Sequence, residues 1–305
     1  MVQIKTSIML GYECNNNCRF CYCGEKQEKF KSNTTSQIKI KLDHARERGS
    51  TFVDFLGGEP TIRKDTIDLV KYAKDIGFET ISLTTNGRMF SYEKFTKDII
   101  KSGLNSVVFS IHGHTPKLHD YLTQSPGSFK QLCKGIKNFR KFSKDGYIYT
   151  NTTIVRPNLK FLPKIAEKNI ELGADGCEFI FVHPRGNALK NFEEIVPNLS
   201  ELIDIIPETL FVGIRHDIKH FVVRYIPFCY LLGFENRLSE FEERNNLKEE
   251  HIGPEFEDLE VEKGRREFGR VKAPQCFGCK YFKICEGIFK EYADKRGFEE
   301  LIPVP

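Results

Sequence analysis

Residues 14–24 read CNNNCRFCYCG and place four cysteines, Cys14, Cys18, Cys21 and Cys23, close together in a chain that carries ten. Clustered thiols pair as disulfides, close around zinc, or hold an iron–sulfur cluster. Structural zinc commonly takes four ligands from two separated Cys or Cys/His pairs. Cys14, Cys18 and Cys21 instead form a C-x3-C-x2-C run with no partner pair nearby. A loop of that spacing can wrap three corners of a [4Fe–4S] cube and leave one iron open to another ligand. Cys23 is the alternative fourth thiolate, but the chain would have to reverse sharply to deliver it. A second set, Cys276, Cys279 and Cys285, forms C-x2-C-x5-C near the end of the chain. Its C-x2-C is also a zinc-knuckle spacing, so zinc stays open there. Cys133 and Cys177 fall in a helical repeat and a strand, where free cysteine behaves as a small buried hydrophobe.

The opening MVQIKTSIMLGYEC lacks a charged n-region, an apolar core and a small-residue cleavage site, so no secretory signal is expected. No apolar stretch approaches a membrane span. The expected compartment is the cytoplasm, where thiols stay reduced and disulfides are disfavoured. The 305 residues are 40% hydrophobic and 29% charged with a net charge of +4, an ordinary globular composition. The lysines of FKSNTTSQIKIKLDHARER are mixed with carboxylates rather than laid out as a basic stripe, so nucleic acid is not implied.

Hydrophobic periodicity alternates strand and helix over the first two-thirds. TSIMLGY, TFVDFLGG, ETISLTTNG, NSVVFSIHG, YIYTNTTIV and GCEFIFVHP read as strands. SQIKIKLDHARERG, stopped by Gly49, DTIDLVKYAKDIG, YEKFTKDIIKSG, SFKQLCKGIKNFRKF and LKFLPKIAEKNIELG read as helices. Six strand–helix units imply a parallel sheet with right-handed crossovers, open or curved into a partial barrel. The cysteine loop, GGEP, TTNG, SIHGH and HPRGN all follow C-terminal ends of strands, the edge where parallel α/β folds bind ligands. LSELIDIIPETLFVGI supplies another helix and strand. The charged run EFEERNNLKEEHIGPEFEDLEVEKGRREFGR reads as a solvated helix or mobile linker.

C-x3-C-x2-C after the first strand, Phe20 before its third cysteine, and Gly57-Gly58-Glu59-Pro60 after the second strand together resemble the radical S-adenosylmethionine superfamily, over most of residues 4–190. The resemblance implies an α/β partial (β/α)6 TIM-like barrel with a small C-terminal cysteine-rich extension. It implies that Cys14, Cys18 and Cys21 hold a [4Fe–4S] cluster whose open iron is chelated by S-adenosylmethionine, and that one-electron reduction yields a 5′-deoxyadenosyl radical that abstracts hydrogen. Phe20 and Gly57 to Pro60 would contact that cofactor, the two glycines by letting backbone approach it closely. By carry-over Thr85, Asn86, Ser110 and Asn151 would also contact it, although turn residues that bond their own backbone read the same way. His112, His114 and His119 are candidates for acid–base work, and loop polarity explains them equally.

Cys276, Cys279 and Cys285, followed by Gly287, Tyr292 and Gly297, resemble the superfamily's SPASM/twitch extensions. With Cys229, chosen because it lies outside the barrel repeats beside Pro227, they imply one auxiliary [4Fe–4S] cluster. The expected division is a barrel core over 1–190, a connection over 191–228, and an extension over 229–305 with a charged insertion at about 235–270. The expected activity is hydrogen abstraction from a peptide or protein side chain, with a flavodoxin or ferredoxin as electron donor. A small-molecule dehydrogenase or cofactor-biosynthesis enzyme stands close behind, because no winged-helix segment precedes the first strand. The ending IPVP argues against the cyclase of molybdenum cofactor synthesis, whose tail ends in Gly-Gly. A non-catalytic iron–sulfur or zinc carrier is the rival of another class, and the GGEP stretch speaks against it.

Overall fold

The computed structural model describes residues 3–241 and 247–305. Strands β1 (Gln3–Met9), β2 (Phe52–Leu56), β3 (Thr80–Thr85), β4 (Ser106–Ser110), β5 (Tyr147–Ile154), β6 (Gly176–Phe181) and β7 (His220–Arg224) lie side by side in sequence order, all parallel. Helices over Thr35–Glu47, Thr66–Asp75, Glu93–Ser102, Ser128–Phe142, Leu162–Glu171 and Ile205–Arg215 return the chain between them. This is the expected partial barrel.

Strand alternation separates two chemistries. Val53, Phe55, Ile81, Leu83, Val107, Phe109 and Phe179 pack against the helices in one continuous core. Their neighbours Asp54, Ser82, Thr84, Ser110, Asn151 and Glu178 fall on the other, concave face, so the barrel is lined with polar groups. The first helix shows how local sequence sets the frame. Thr34 and Gln37 form a capping box at its start. At its end Gly49, at φ +88°, adopts the left-handed turn that lets Ser50 N–H reach the Ala45 carbonyl (3.0 Å).

Two readings need correction. The charged run does not form only a solvated helix or linker. Its residues Leu247–Ile252 are β8, parallel to β1 from Gln3↔Leu247 to Ile8↔Ile252, followed by an antiparallel β9 (Glu257–Asp258). Its Glu249 and Glu250 are buried and paired, as burial demands. Glu250 accepts from Arg48 (2.8 Å) and from the Thr6 hydroxyl (3.1 Å), and Glu249 meets Arg224 at 2.9 Å. The expected extension therefore returns an edge strand to the main sheet. The loop after β4 also holds a helix, Pro116–Thr123, unread in the sequence although Thr115 caps it and Pro116 occupies its first turn. In LSELIDIIPETLFVGI the helix runs through VGI, and β7 follows later.

In the extension, β10 (Arg270–Val271) pairs antiparallel with β11 (Ile288–Phe289), bracketing Cys276, Cys279 and Cys285. The helix Lys290–Arg296 anchors this region by burying Tyr292 against Phe181 and Phe192. Among the described residues no helix is long and apolar enough to cross a membrane.

Candidate functional site

The cysteine loop leaves β1 at the mouth of the barrel and is gripped by most of the strand-end loops around it. After β2, Gly58 N–H bonds the Gly11 carbonyl (2.8 Å) and Glu59 N–H bonds Glu13 (2.7 Å). A Cβ on Gly57 would stand 2.3 Å from the Gly11 oxygen, and one on Gly58 2.1 Å from that of Glu13. These glycines thus make room for the incoming cysteine loop, a different reason from the close ligand approach expected of them.

Glu59 is buried and its carboxylate acts as a buckle. One oxygen accepts from Thr61 N–H (3.1 Å), the Thr61 hydroxyl (2.5 Å) and the Thr85 hydroxyl (2.6 Å), while the other accepts from Asn86 N–H (2.7 Å). Burial pushes its carboxyl upward, and the four donors pull it back. Thr85 spends its hydroxyl here. Asn86 passes the linkage on, with its amide donating to Asn15 Oδ1 (2.7 Å) and lying beside Cys14. Arg88, from the same loop, bonds the Asn15 carbonyl and Asn16 Oδ1 (2.9 Å).

Three further clamps complete the grip. The overlooked helix presents carbonyls of Thr123 and Leu122 to Asn17 and Arg19 N–H (3.0 and 2.9 Å). After β6, the Asn187 amide donates to the Cys18 carbonyl (2.9 Å) and its N–H to that of Cys21 (2.8 Å). After β8, Glu255 accepts from the Tyr12 hydroxyl (2.6 Å) and from Lys26 (2.7 Å). Asn15, Asn16, Arg88 and Asn187 were missed as site residues. Their signal was only that polar side chains sit in strand-end loops.

So held, Cys14, Cys18 and Cys21 are partly buried, and near enough that a thiolate at Cys21 repels those at Cys14 and Cys18. Burial, then the nearby Glu59 carboxylate and Cys21, raises Cys14 to about 11, and burial, then Cys21 and Cys14, raises Cys18 well above the ordinary thiol range. Cys23 is buried, and its thiol hydrogen-bonds the Cys21 sulfur, which falls to about 7. Cys23 itself is pushed up by the same contact. Among the described residues no three His, Cys, Asp or Glu side chains gather tightly enough for a single metal ion. Thiols that each bind a different iron of a cube stand further apart than that. Two thiols held protonated by burial, Cys14 and Cys18, and a third, Cys21, that gives up its proton readily fit a cationic iron–sulfur core, which would take the charge on deprotonation.

Phe20 turns into the core, edge-on to His112 at 4.7 Å. Ser110 and Asn151 are register partners on the barrel interior, half-buried. The histidines divide differently from expectation. His112 and His119 are buried, with rings stacked at 5.8 Å, and each Nδ1 accepts a backbone N–H, from Thr153 (3.2 Å) and His112 (3.1 Å). Burial lowers both, His119 to about 4, so they are neutral packing groups at neutral pH. His114 lies against Phe161.

The second set also converges. Cys229, raised to about 11 by burial, feels the sulfurs of Cys285 and Cys276. Backbone N–H groups aim at three of the four sulfurs: Gly287 at Cys285 (3.3 Å), Val304 at Cys279 (3.4 Å) and Ile302 at Cys229. Such donors stabilise thiolates, as an iron–sulfur cluster requires.

The Radical SAM superfamily model matches residues 8–167. PqqA peptide cyclase of Bradyrhizobium diazoefficiens is 30% identical over 202 residues, 66% of this chain and 52% of that protein. The AdoMet-dependent heme synthase of Oleidesulfovibrio alaskensis is 28% identical over 184 residues, 60% of this chain and 46% of that protein. The matched region therefore spans about half the length of these curated relatives. Among solved structures, Streptococcus suis SuiB bound to precursor peptide SuiA shares the fold, with a TM-score of 0.70 at 19% identity, over 96% of this chain and 73% of that one. Enzymes of the superfamily use a [4Fe–4S] cluster and S-adenosylmethionine. The match over residues 8–167, with the cysteine loop and its buckle at the mouth of a polar-lined partial barrel, means that the chain belongs to the radical SAM superfamily.

Proposed function

We propose that this enzyme abstracts hydrogen from a peptide or protein side chain. The observation that carries the radical chemistry is the convergence of Cys14, Cys18 and Cys21 on a loop clamped at the barrel mouth. These three would hold the cluster. When bound, cluster and S-adenosylmethionine supply a 5′-deoxyadenosyl radical to the substrate. The protein's part is orientation and exclusion of water. Gly57, Gly58, Glu59 and Pro60 shape the wall beside the loop, Thr85 and Asn86 hold that wall against Cys14, and Phe20 supports the loop from beneath. Ser110 and Asn151 offer hydrogen-bonding groups from the barrel interior.

Cys229, Cys276, Cys279 and Cys285 would hold one auxiliary [4Fe–4S] cluster. We divide the chain into a core over 1–190, a connection over 191–228 and an extension over 229–305, with β8 returned to the core sheet. The peptide reading is supported by the likeness to a peptide cyclase and by the fold shared with a protein that binds a precursor peptide. The similarity to a heme synthase favours a second reading, a small-molecule substrate. A cytoplasmic setting and a flavodoxin or ferredoxin donor accompany both.

The test is anaerobic. Iron per chain and 5′-deoxyadenosine formed under dithionite are measured for the native protein and for Cys14→Ala/Cys18→Ala/Cys21→Ala. About eight irons falling to about four, with cleavage abolished, is the expected result. Stoichiometric zinc without 5′-deoxyadenosine would refute it. Adding candidate precursor peptides or porphyrins and following deuterium transfer into 5′-deoxyadenosine then separates the two substrate classes.

A further inference from the structure

The loop between β10 and β11 carries an aromatic surface that the fold leaves open. Phe277, 77% exposed, stacks on Phe282 at 5.0 Å, and both lie in the run that holds Cys276, Cys279 and Cys285. From Phe268 to Cys285 the chain bears four cations, Arg270, Lys272, Lys280 and Lys283, and no carboxylate. Arg270 is buried over the Phe289 ring, and Lys272 is folded onto Phe282. Lys280 and Lys283 are exposed beside the aromatic pair. Of the flanking carboxylates, Glu286 is buried with Arg265, Glu235 accepts from the Tyr281 hydroxyl, and Glu267 is exposed beside Phe268. Phe268, 71% exposed, lies in a turn whose Arg266 bonds the Lys283 and Ile284 carbonyls.

We propose that this face, Phe277 and Phe282 flanked by Lys280 and Lys283, docks an acidic one-electron carrier protein above the auxiliary cysteines; it rests on the auxiliary-cluster reading given above. An aromatic anchor ringed by like charges matches a partner with a small apolar spot in an acidic rim. Phe277 lies between Cys276 and Cys279 in sequence, so a partner seated on it approaches the cluster where little protein intervenes. One electron would pass from the carrier's reduced centre to the cluster that Cys229, Cys276, Cys279 and Cys285 would hold, with no proton or covalent bond moving. The small, charge-steered contact suits transient electron transfer.

The experiment uses the full chain with its clusters reconstituted and an acidic flavodoxin as the probe. Its affinity is measured by biolayer interferometry at low and high salt, and its oxidation from hydroquinone to semiquinone by stopped flow. Wild type is expected to bind and to weaken about tenfold or more with added salt. Lys280→Glu/Lys283→Glu should lose about tenfold or more in affinity and in oxidation rate, and Phe277→Ser severalfold. Iron content and the dithionite-reduced spectrum should stay those of wild type. Unchanged binding in these variants overturns the proposal. So does wild-type self-association that Phe277→Ser abolishes, since the face would then serve a second copy. If Cys276→Ala/Cys279→Ala keeps full iron, the auxiliary-cluster reading has failed instead, whatever the flavodoxin does.

Discussion

Glu59→Gln keeps the shape of a side chain whose four bonds tie the loop after β2 to the loop after β3, and removes its charge. The amide can keep its oxygen toward Thr61 and Thr85, where three donors converge, only by turning its NH2 toward Asn86 N–H at 2.7 Å. The opposite rotamer sets NH2 against three donors and costs more. In the better case one hydrogen bond to a charged acceptor is lost and a buried N–H is left unpaired, while the other three lose charge assistance. The expected loss is about 2–3 kcal/mol. Urea unfolding of the iron-free protein, followed by circular dichroism, measures it. Amide exchange localises it: Asn86 N–H should exchange much faster in the variant, and Ala45 or Phe109 in the core should not. A loss below about 0.5 kcal/mol, or unchanged protection at Asn86, would refute the buckle.

Asp120 accepts from Gly127 N–H (2.7 Å), the Ser128 hydroxyl and Phe129 N–H (both 2.9 Å), capping a helix whose own N-cap is glycine. Asp120→Ala should cost about 1 kcal/mol near neutral pH. Burial pushes this carboxyl up, but those bonds outweigh it and leave it below the ordinary carboxylate range. Its contribution is therefore present above about pH 4 and lost as pH falls through the depressed value, so wild-type and variant urea midpoints should converge toward pH 3. Arg48→Met strands the buried Glu250 carboxylate with the Thr6 hydroxyl as its remaining partner among the described residues. It should destabilise by about 3 kcal/mol and speed amide exchange over residues 247–252, and Arg48→Met/Glu250→Gln should recover part of the loss. Gly58→Ala drives a methyl into the Glu13 carbonyl, whereas Gly49→Ala meets open space and only the strain of a positive φ. The second should cost about 1 kcal/mol, and the first should cost more and release iron faster from the reconstituted protein.

The barrel was legible because its strands and helices differ in period, and an apolar face repeats at each period from β1 to the helix over Leu162–Glu171. The cysteines were legible because thiols at fixed spacing have few other uses. What escaped was whatever depends on pairing across the chain. Glu249 and Glu250 look like solvent-facing charges until Arg224, Arg265 and Arg48 are known to meet them, residues 16 to 202 positions away. Arg88 and Asn187 carry no motif, and their value lies in which carbonyls they reach after folding. The helix Pro116–Thr123 was legible from Thr115 and Pro116 alone, but three nearby histidines drew the reading toward chemistry. For GGEP the sequence suggested one reason and the fold supplies another: its glycines are demanded by the cysteine loop's own backbone.

The N–H groups of Ile302 and Val304 reach Cys229 and Cys279, while the clamps on Cys18 and Cys21 are complete once Asn187 is in place. During synthesis the two cysteine sets thus become competent at different times. The first loop's grip needs the chain as far as Glu255, the second set's donors need it as far as Val304. Iron delivered early would meet a formed first site and three or four loose thiols downstream, which favours a fixed order of loading. The same lacing makes Ile302 and Val304 a lock on the second cysteine set: a cut between Leu301 and Ile302 would take away two of its N–H donors while the bonds that grip the first loop stay in place.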